Sequence, residues 1–560
     1  MFLHQKFNYK TQFIMSLDEM EEVLVHFNTI KPKIMMYDTE TTGLNFLVDK
    51  PFLLTFGWEK EVYGFELGLE YSRLLVNKLY EMMLKCNWVF AHNAKYDYHM
   101  MWNYGMIIPD EVHLADSQTI ARLTNYADES LSKSLATMGQ LYVDVTAKFA
   151  GDVIKKQINE INKIRRNITK QIFKAENPDQ NYGQIWEDYK KRVAFIDDEN
   201  PLFKRFDELY QEANYYDVYK EKPQLMVNYA YDDIVIMLEW IPKAIPTIKQ
   251  VDPSLEVFKR EASLIVPTAR QERIGFKVDI KYLLESRGKV SNYRDKLYLE
   301  LRALTGLPEL TVGQHEVIKK LLSRKYNLSL ASVDNKSLSN VSRGGEVGQI
   351  IGIIKRLRTV DKWLSTYIDG LLNRLVNERV HTSIDLSGAV SGRVSSDMQQ
   401  QPKEALVSDT GEELYHPRKA ILADDDYTLF FYDYSQQELR VQAYYTLLTS
   451  QGDMNLLRAY MPFKCTSFIT DEVFDYKDPK VLSRWNSGEW MDENDDIWTP
   501  TDVHTATTFN AFPELNNDIK HPEFKHYRKL GKMCNFLKNY QGGVFAIMEQ
   551  LDVSEAIANK

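Results

Sequence analysis

Four short apolar runs near the N-terminus constrain the fold of this chain more than any other feature of its sequence. Each run is rich in β-branched or aromatic residues and is bounded by polar or turn-forming residues, a pattern typical of strands. The runs are Ile34–Tyr37, Phe52–Trp58, Val62–Glu66 and Trp88–Ala91. Between the last two, the amphipathic segment Tyr71–Leu84 predicts a helix. The sequence therefore predicts a sheet in which a helix connects the third strand to the fourth.

The order of these elements, three strands, a helix and a further strand, is that of a ribonuclease-H-like mixed sheet. Three carboxylates lie shortly after the first and the fourth of these strands, and another lies further along the chain. Asp38 and Glu40 follow the first run, and alternation along a strand puts both side chains on one face. Asp97 comes after the fourth run, and Asp233 lies one turn after Tyr229 on a predicted helix. Taken singly, each carboxylate is better explained as a surface cap or turn residue than as a metal ligand. Taken together, they can hold two divalent cations and hydrolyse a phosphodiester.

The segments around these carboxylates resemble the three exonuclease motifs of the DEDD proofreading exonucleases. The D-x-E, N-x-x-x-D and Y-x-x-x-D patterns of that family occur here in the same order. The resemblance implies that Tyr229 orients the attacking water and that Leu44 and Asn93 contact the 3′ end of a DNA strand. It implies Mg²⁺ as cofactor, two ions per active site, with Mn²⁺ as a substitute. The metal ligands that it implies are Asp38, Glu40, Asp97 and Asp233.

Length and composition limit the classes of protein to consider. With 560 residues, 44% apolar and 26% charged, the chain has the composition of a soluble globular protein of two to four domains. No run approaches the roughly 18 apolar residues of a membrane helix, and residues 1–20 do not resemble a signal peptide. We therefore expect no membrane partner. Three widely separated cysteines without a C-x-x-C pair indicate reduced thiols and a cytoplasmic location.

The charge of the chain indicates less about its function than the motifs do. The formal charge of −10 argues against a protein that coats nucleic acid by bulk attraction, although a local basic groove remains compatible with it. Residues 147–221 are dense in charge of both signs, and their periodic Ile, Leu and Phe residues predict helices. Solvated helical faces explain that segment better than a DNA-binding patch does. After the apolar segment Leu225–Ile241, the prolines Pro242, Pro246 and Pro253 predict a domain boundary.

Two segments of the C-terminal half combine charged and aromatic residues in an unusual way. Thr428–Asp433 is predicted to be a strand, and Asp433 at its end can bind a metal together with the Tyr434 carbonyl. A helix N-cap at Asp433 or Ser435 is an alternative explanation. In the predicted helix Arg528–Gly543, residues spaced four apart place two cations and then two aromatic rings on one stripe. The cations suit a triphosphate, and the rings suit a stacked base.

These two segments resemble motifs A and B of the family A DNA polymerases, the bacterial polymerase I type that is common in phages. Three further segments match the family: Arg379–Ser383 followed by Ser391–Ser396, which looks like the T-G-R-x-S-S element; Asp502–Thr507, which looks like the D-x-H-x-x-T start of a fingers helix; and Glu261–Leu283, which is similar to the opening of the polymerase domain. Residues 147–221 and the predicted insertion near 465–500 have no clear counterpart in the family.

The two resemblances together imply a multidomain α/β and α+β protein. A ribonuclease-H-like 3′–5′ exonuclease domain is expected at residues 1–245. An incomplete right-hand polymerase domain is expected at residues 250–560. Its subdomains are expected at about 280–380 for the thumb, 381–460 for the palm and 500–560 for the fingers. The segment Ile350–Arg379, predicted to be helical and basic, would be the part of the thumb that grips duplex phosphates.

The polymerase resemblance also assigns roles to single residues. Glu438 would be the steric gate against a ribose 2′-OH, and Lys532 a candidate general acid for the pyrophosphate leaving group. Phe536 would pack against the sugar and base, and Tyr540 would lie beside the templating base. The residues that it implies for binding the incoming nucleotide are Gln436, Glu438, His504, Arg528, Lys532, Phe536 and Tyr540. It implies metal binding by Asp433 and Tyr434, and DNA contacts by Arg393 and Arg440.

One family element is not found in this sequence. Family A enzymes carry a second palm carboxylate in a His-Asp motif, and no His-Asp pair occurs between Tyr540 and Lys560. Three interpretations follow: part of a split replicative polymerase, an exonuclease whose polymerase remnant only binds primer-template DNA, or a DNA-binding module without catalysis. The first is favoured, because Glu438, Lys532 and Phe536 serve only nucleotide handling. It predicts primer-template DNA, dNTPs, a second polypeptide and other replication proteins as partners, in the host cytoplasm if the chain is from a phage.

Overall fold

A computed structural model describes most of the chain. The described residues are 2–125, 131–190, 200–328, 330–335, 337–338, 344–389, 392–434, 437–449, 464–467, 473–475, 498–500, 503–515, 521–539 and 543–544. They divide into two compact units, Met1–Leu429 and Phe430–Lys560. Among these residues, no helix combines the length and the apolar character that crossing a membrane requires.

A mixed sheet forms the centre of the N-terminal region. Its strands are β1 (Lys10–Phe13), β2 (Ile34–Thr41), β3 (Pro51–Trp58), β4 (Glu61–Glu66), β5 (Trp88–Ala91) and β6 (Leu114–Asp116), in the order β1-β4-β3-β2-β5-β6. Strands β2, β3 and β4 pair antiparallel, whereas β1 with β4, β2 with β5 and β5 with β6 pair parallel. All four predicted strands are confirmed. The first is longer than predicted, because the ladder with β3 continues to Thr41 and is irregular after Glu40.

Helices cover both faces of this sheet. They are α1 (Leu3–Lys6), α2 (Leu17–Ile30), α3 (Ser72–Met83), α4 (Ala94–Asn103), α5 (Ser117–Thr124), α6 (Leu135–Tyr142), α7 (Phe149–Glu176), α8 (Tyr182–Lys190), α9 (Pro201–Leu209), α10 (Tyr215–Glu221) and α11 (Pro223–Val251). The predicted helix between β4 and β5 is confirmed as α3. The helices predicted for residues 147–221 are also confirmed, as α7 to α10, with short non-helical connections at 177–181 and 210–214.

Two of the three prolines that predict a domain boundary lie inside a helix. Pro242 and Pro246 lie inside α11, which continues to Val251 and ends two residues before Pro253. The first two of these prolines therefore do not end the helix. The helix buries an apolar face that includes Trp240, Ile241 and Ile248, on both sides of the prolines. Packing of this face against the sheet outweighs the local preference of proline for helix ends.

A second apolar core lies in residues 278–420. Helices α12 (Glu256–Ala262) and α13 (Ile265–Ile274) come before this core, and their residues Phe258, Ile265 and Ala269 are buried with the N-terminal sheet. The helices of the second core are α14 (Ile280–Thr305), α15 (His315–Tyr326), α16 (Gly345–Lys362), a π-helical turn (Trp363–Ile368) and α17 (Asp369–Leu372). Its strands are β7 (Phe276–Val278), β8 (Leu375–Val376), β9 (Arg379–Val380), β10 (Ile384–Asp385), β11 (Ser395–Ser396), β12 (Leu406–Val407), β13 (Glu413–Tyr415) and β14 (Ile421–Leu422). One sheet has the order β14-β7-β9-β8.

The basic segment Ile350–Arg379 is helical only in its first part. The helix ends at Leu372, and β8 and β9 then form a hairpin. Asn377 and Glu378, between these strands, both have positive φ, at 51° and 62°. Positive φ at both central residues defines a tight hairpin turn, so the predicted helix cannot continue here.

The second unit contains α18 (Gln437–Thr449), β15 (Lys464–Ser467), β16 (Val473–Asp475), β17 (Trp498–Pro500), α19 (Val503–Ala511) and α20 (Phe524–Asn539). The two predicted helices here are confirmed as α19 and, up to residue 539, α20. The predicted strand Thr428–Asp433 is wrong, because residues 427–434 are neither helix nor strand. Phe431 and Tyr432 are 78% and 90% exposed. Aromatic patterning favours a strand only where a partner strand pairs with it, and no described strand does so.

Candidate functional site

Three carboxylates converge near the C-terminal end of β2, a central strand of the N-terminal sheet. Asp38 and Glu40 alternate on β2 and share one face, while Asp233 comes from α11. One oxygen atom of each carboxylate lies within 4.8 Å of an oxygen atom of the other two. Glu40 is buried, whereas Asp38 and Asp233 are partly exposed. The group is therefore held by the protein on one side and open to solvent on the other.

Asp97 lies beside this group but is turned toward the backbone of β2. It sits in the first turn of α4 and is 2% exposed. One of its oxygen atoms, Oδ1, accepts hydrogen bonds from Thr39 N at 3.0 Å and from Thr39 Oγ1 at 2.6 Å. Its charge raises the pKa of Asp38, second only to the effect of burial. The structure thus brings all four predicted carboxylates to one place, three of them within 4.8 Å of one another.

Burial and mutual repulsion shift every pKa in this cluster upward. Burial is the largest cause of the raised pKa of Asp38, Glu40 and Asp233, and neighbouring carboxylates raise each further. Burial also raises the pKa of Asp97 to about 7, although its hydrogen bonds with Thr39 oppose the shift. Like charges held this close favour protonation unless a cation neutralises them.

The residues present fit a divalent cation. The donor set consists of carboxylate oxygen atoms, which Mg²⁺ and Mn²⁺ prefer. Glu40 Oε1 is buried and has no hydrogen-bonding partner among the described residues. A buried acceptor without a partner is costly, and a cation would satisfy it. The chemistry of the donor set therefore agrees with the metal site implied by the sequence.

Tyr229 lies one turn before Asp233 on α11 and is half-buried. A hydrogen bond from Tyr229 acts to lower the pKa of Asp233, against the larger effect of burial. The ring of Tyr215, from α10, lies 6.0 Å from the Tyr229 ring between centroids. Tyr215 was not predicted from the sequence, because nothing in the local pattern of α10 indicates which tyrosine faces the carboxylates.

Leu44 and Asn93 line one cleft of about 410 Å³, to which Tyr96, the neighbour of Asp97 in the chain, also contributes. Leu44 is 87% exposed, and Asn93 has a left-handed backbone, φ 67°, just before α4. The backbone N–H of Asn93 donates to Asp116 Oδ1 at 2.9 Å. Residues 383–387 line the same cleft. Asp116 was also missed, although its place at a helix N-cap before Ser117 was a detectable signal.

The residues predicted for nucleotide handling lie in several parts of the second unit. Asp433 and Tyr434 are exposed in the irregular segment before α18, and Glu438 and Arg440 lie in the first turn of that helix. Arg393, in the first unit, is exposed. Gln436 and Tyr540 lie outside the described residues. The backbone of Phe536 belongs to α20, and its side chain is also outside them.

Helices α19 and α20 pack closely and bring two predicted residues to one interface. His504 Nδ1 and Asn535 Nδ2 are 3.1 Å apart, and Arg528 Nε donates to Thr505 Oγ1 at 3.2 Å. A Cβ added to Gly531 would lie 2.4 Å from Thr508 Oγ1, so the close approach requires glycine. His504 is buried, whereas Lys532 is exposed. The helix pair therefore places Arg528 against Thr505, and Lys532 lies one turn further along α20 on the solvent-exposed side.

Comparison with known proteins identifies the family. Residues 281–560 match the family model described as DNA polymerase family A. Because this match covers half of the 560 residues, the chain belongs to DNA polymerase family A.

Individual relatives match shorter stretches. Thermostable DNA polymerase I of Thermus aquaticus is 26% identical over 208 residues, 36% of this chain and 24% of that protein. DNA polymerase I of Bacillus subtilis is 27% identical over 218 residues, 37% of this chain and 23% of that protein. The matches thus span about a quarter of the length of these curated relatives.

A solved structure shares the fold of nearly the whole chain. It is described as the POL domain of Pol1 from M. smegmatis in complex with DNA primer-template and dNTP. The TM-score is 0.60 at 14% identity, with 98% of this chain and 75% of that chain covered. At this identity the similarity describes the fold alone.

Proposed function

We propose that this chain carries a metal-dependent 3′–5′ DNA exonuclease site in residues 1–245, joined to a polymerase region in residues 250–560 that binds primer-template DNA and dNTPs. The observation that carries the exonuclease proposal is the convergence of Asp38, Glu40 and Asp233 within 4.8 Å, with Asp97 beside them. The ribonuclease-H-like assignment of this domain rests on the strand order and on these motifs. Family membership supports DNA-directed DNA polymerase activity for the second region.

Each residue of the exonuclease site has a distinct task. Asp38, Glu40, Asp97 and Asp233 would hold two Mg²⁺ ions, or Mn²⁺ in their place. Bound there, the ions would activate water and stabilise the leaving oxyanion. Tyr229, half-buried beside Asp233, would orient the water with its hydroxyl group. Leu44 and Asn93, in the adjoining cleft, would hold the 3′-terminal nucleotides of the strand.

The double variant Asp38→Asn/Glu40→Gln tests this site. It keeps the volume of both side chains and removes the charge that binds metal. Mg²⁺-dependent release of 3′ nucleotides from a labelled single strand should fall by at least about 10³-fold. The matched control is Asp18→Asn, an exposed carboxylate in the first turn of α2, which should leave the rate unchanged. Degradation that survives the double change, or that persists in EDTA, would refute the proposal.

In the polymerase region, Asp433 and the Tyr434 carbonyl would bind metal beside the incoming nucleotide. Arg528 and Lys532 would bind its triphosphate, because two cations one turn apart on a helix suit adjacent phosphates. The remaining residues proposed to bind the nucleotide are Gln436, Glu438, His504, Phe536 and Tyr540. Those proposed to bind DNA are Arg393 and Arg440. The fixed geometry of Arg528 on Thr505 supports this assignment.

Nucleotide binding separates this proposal from the alternative, an exonuclease whose polymerase remnant only binds DNA. A complex with primer-template DNA should bind the correct dNTP, and Arg528→Ala/Lys532→Ala should weaken that binding at least about tenfold. Lys529→Ala, on a neighbouring stripe of the same helix, is the control. Equal affinity for correct and incorrect dNTP would favour the alternative.

Neither the fold nor the comparisons support the second polypeptide that the sequence predicted.

A further inference from the structure

The helical segment 147–221, which has no clear counterpart among the family motifs, contacts the candidate exonuclease site through one side chain. Tyr215, the first residue of α10, packs against Tyr229 with ring centroids 6.0 Å apart and planes inclined by 49°. Gly151, near the start of α7, approaches the same ring: a Cβ placed on it would lie 3.7 Å from Tyr229 Cε2. Two helices of the segment therefore enclose the tyrosine proposed to orient the attacking water.

Hydrogen bonds hold the start of α10 in a defined position. Asn214 and Asp217 form a capping box, in which Asn214 Oδ1 accepts from Asp217 N at 3.2 Å and Asp217 Oδ2 accepts from Asn214 N at 3.1 Å. Arg165 of α7 donates to Asp217 Oδ1 at 2.9 Å, and Asn162 Oδ1 accepts from Ala213 N at 2.7 Å. These contacts fix Tyr215, which lies between Asn214 and Asp217.

Aromatic contacts anchor the rest of α10 to the sheet. Tyr216 and Tyr219 place their rings 5.1 Å and 5.2 Å from that of Phe52 on β3. Aromatic pairs at this spacing contribute about 0.5–1.5 kcal/mol each beyond the area they bury. Helix α10 is thus held at its N-terminus by α7 and along its length by β3. Tyr215 has little freedom to move away from Tyr229.

The hydroxyl group of Tyr215 lies close to the carboxylate cluster. Burial raises the pKa of Tyr215 to about 12, and the charges of Glu40 and Asp233 add to this effect. A hydrogen bond with Tyr229 acts in the opposite direction. A phenol has one proton to donate and can also accept. The hydroxyl groups of Tyr215 and Tyr229 can therefore hydrogen-bond to each other beside the carboxylates.

From these contacts we infer that Tyr215 is a positioning residue for the exonuclease reaction. Its ring and hydroxyl group hold the Tyr229 phenol in place beside Asp233 and the attacking water. This inference rests on the proposed exonuclease function. It gives the 147–221 segment a definite task, which is to complete the site around Tyr229 and to restrict its rotation.

The variant Tyr215→Phe removes the hydroxyl group and keeps the ring that packs on Tyr229. The exonuclease kcat on a short single strand should fall about tenfold, because one oriented hydrogen bond is lost, while KM stays within twofold. Tyr216→Phe is the matched control, since that ring faces Phe52 on the same helix. Its kcat should equal that of the wild type. An unchanged kcat in Tyr215→Phe, with an active wild type, would overturn the inference.

A double-mutant cycle with Tyr229→Phe separates positioning from a general structural role. If Tyr215 acts through the Tyr229 hydroxyl group, Tyr215→Phe should have no further effect once that group is absent. Losses of kcat that multiply in Tyr215→Phe/Tyr229→Phe would contradict the inference. Failure of the proposed function is a separate result, because the wild type would then show no Mg²⁺-dependent degradation at all.

Discussion

Lys95 and Glu272 form an ion pair in the protein interior and join α4 to α13. Their side chains are 11% and 1% exposed. Glu272 also bonds to His99 Nε2 at 2.7 Å and accepts from the backbone amide of Ile384. Lys95 in turn donates to the Ile384 carbonyl. Helix α4 also carries Asp97. The network therefore links the candidate metal site to residues 383–387, which line the same cleft as Leu44 and Asn93.

Breaking this pair should destabilise the first unit strongly. Glu272→Gln leaves the Lys95 ammonium buried without its counter-charge, which costs about 3–5 kcal/mol in comparable buried pairs. The free energy of unfolding, measured by urea denaturation, should fall by that amount. The double variant Lys95→Met/Glu272→Gln should recover part of the loss, since no charge then remains unpaired. A double variant less stable than Glu272→Gln would show that the pair is not coupled.

The N-terminal helix should depend on a buried carboxylate next to the candidate site. Asp232 accepts from Leu3 N and His4 N, both at 2.9 Å, and bonds to His4 Nδ1 at 2.7 Å. Asp232→Asn replaces one acceptor oxygen with an amide that cannot accept. We expect a loss of about 1–3 kcal/mol in the free energy of unfolding. His4→Ala should cost less, because both backbone bonds remain. Equal losses in the two variants would contradict this account.

Without metal, the carboxylate cluster should make the protein less stable as the pH rises. The pKa of Asp97 is about 7 in the folded protein, against about 4 in an unfolded chain. The folded state therefore binds more protons, and its stability falls between about pH 4 and pH 7. Asp97→Asn, which keeps the oxygen atom that accepts from Thr39, should flatten this dependence in EDTA. Urea denaturation from pH 5 to pH 8 measures it.

Mg²⁺ should reverse the effect, since the ion binds the deprotonated carboxylates. At pH 8, Mg²⁺ should raise the free energy of unfolding of the wild type and leave Asp97→Asn nearly unchanged. An equal gain in both proteins would indicate that Mg²⁺ binds elsewhere.

Glu438 should decide between deoxyribose and ribose if the polymerase resemblance assigns it correctly. In a complex with primer-template DNA, Glu438→Ala opens the space that a 2′-OH would need. The affinity ratio of the matching dNTP to its ribonucleotide should then fall by about tenfold or more. Glu438→Gln, of similar size, should keep most of the discrimination. An unchanged ratio in Glu438→Ala would place the gate at another residue.

Much of the N-terminal fold could be predicted from the sequence, because it depends on local alternation. The runs at β3, β4 and β5 bury their side chains in the sheet, as their apolar patterns indicate. Asp38 and Glu40 share a face because every strand has a period of two. Alternation failed to predict the structure of Thr428–Asp433, where no described strand pairs with the segment. The preference of proline for helix ends does not hold at Pro242, because packing of α11 outweighs it.

Contacts between distant residues were decided only by the tertiary structure. The sequence by itself determined the motif carboxylates, the helix that carries Tyr229 and Asp233, and the charged stripe of α20. It did not indicate that Tyr215 packs on Tyr229, or that Glu272 meets Lys95 across 177 positions of the chain. The physical reason is that periodicity tells which face of an element is buried. Which residue it meets there depends on how the elements pack against one another.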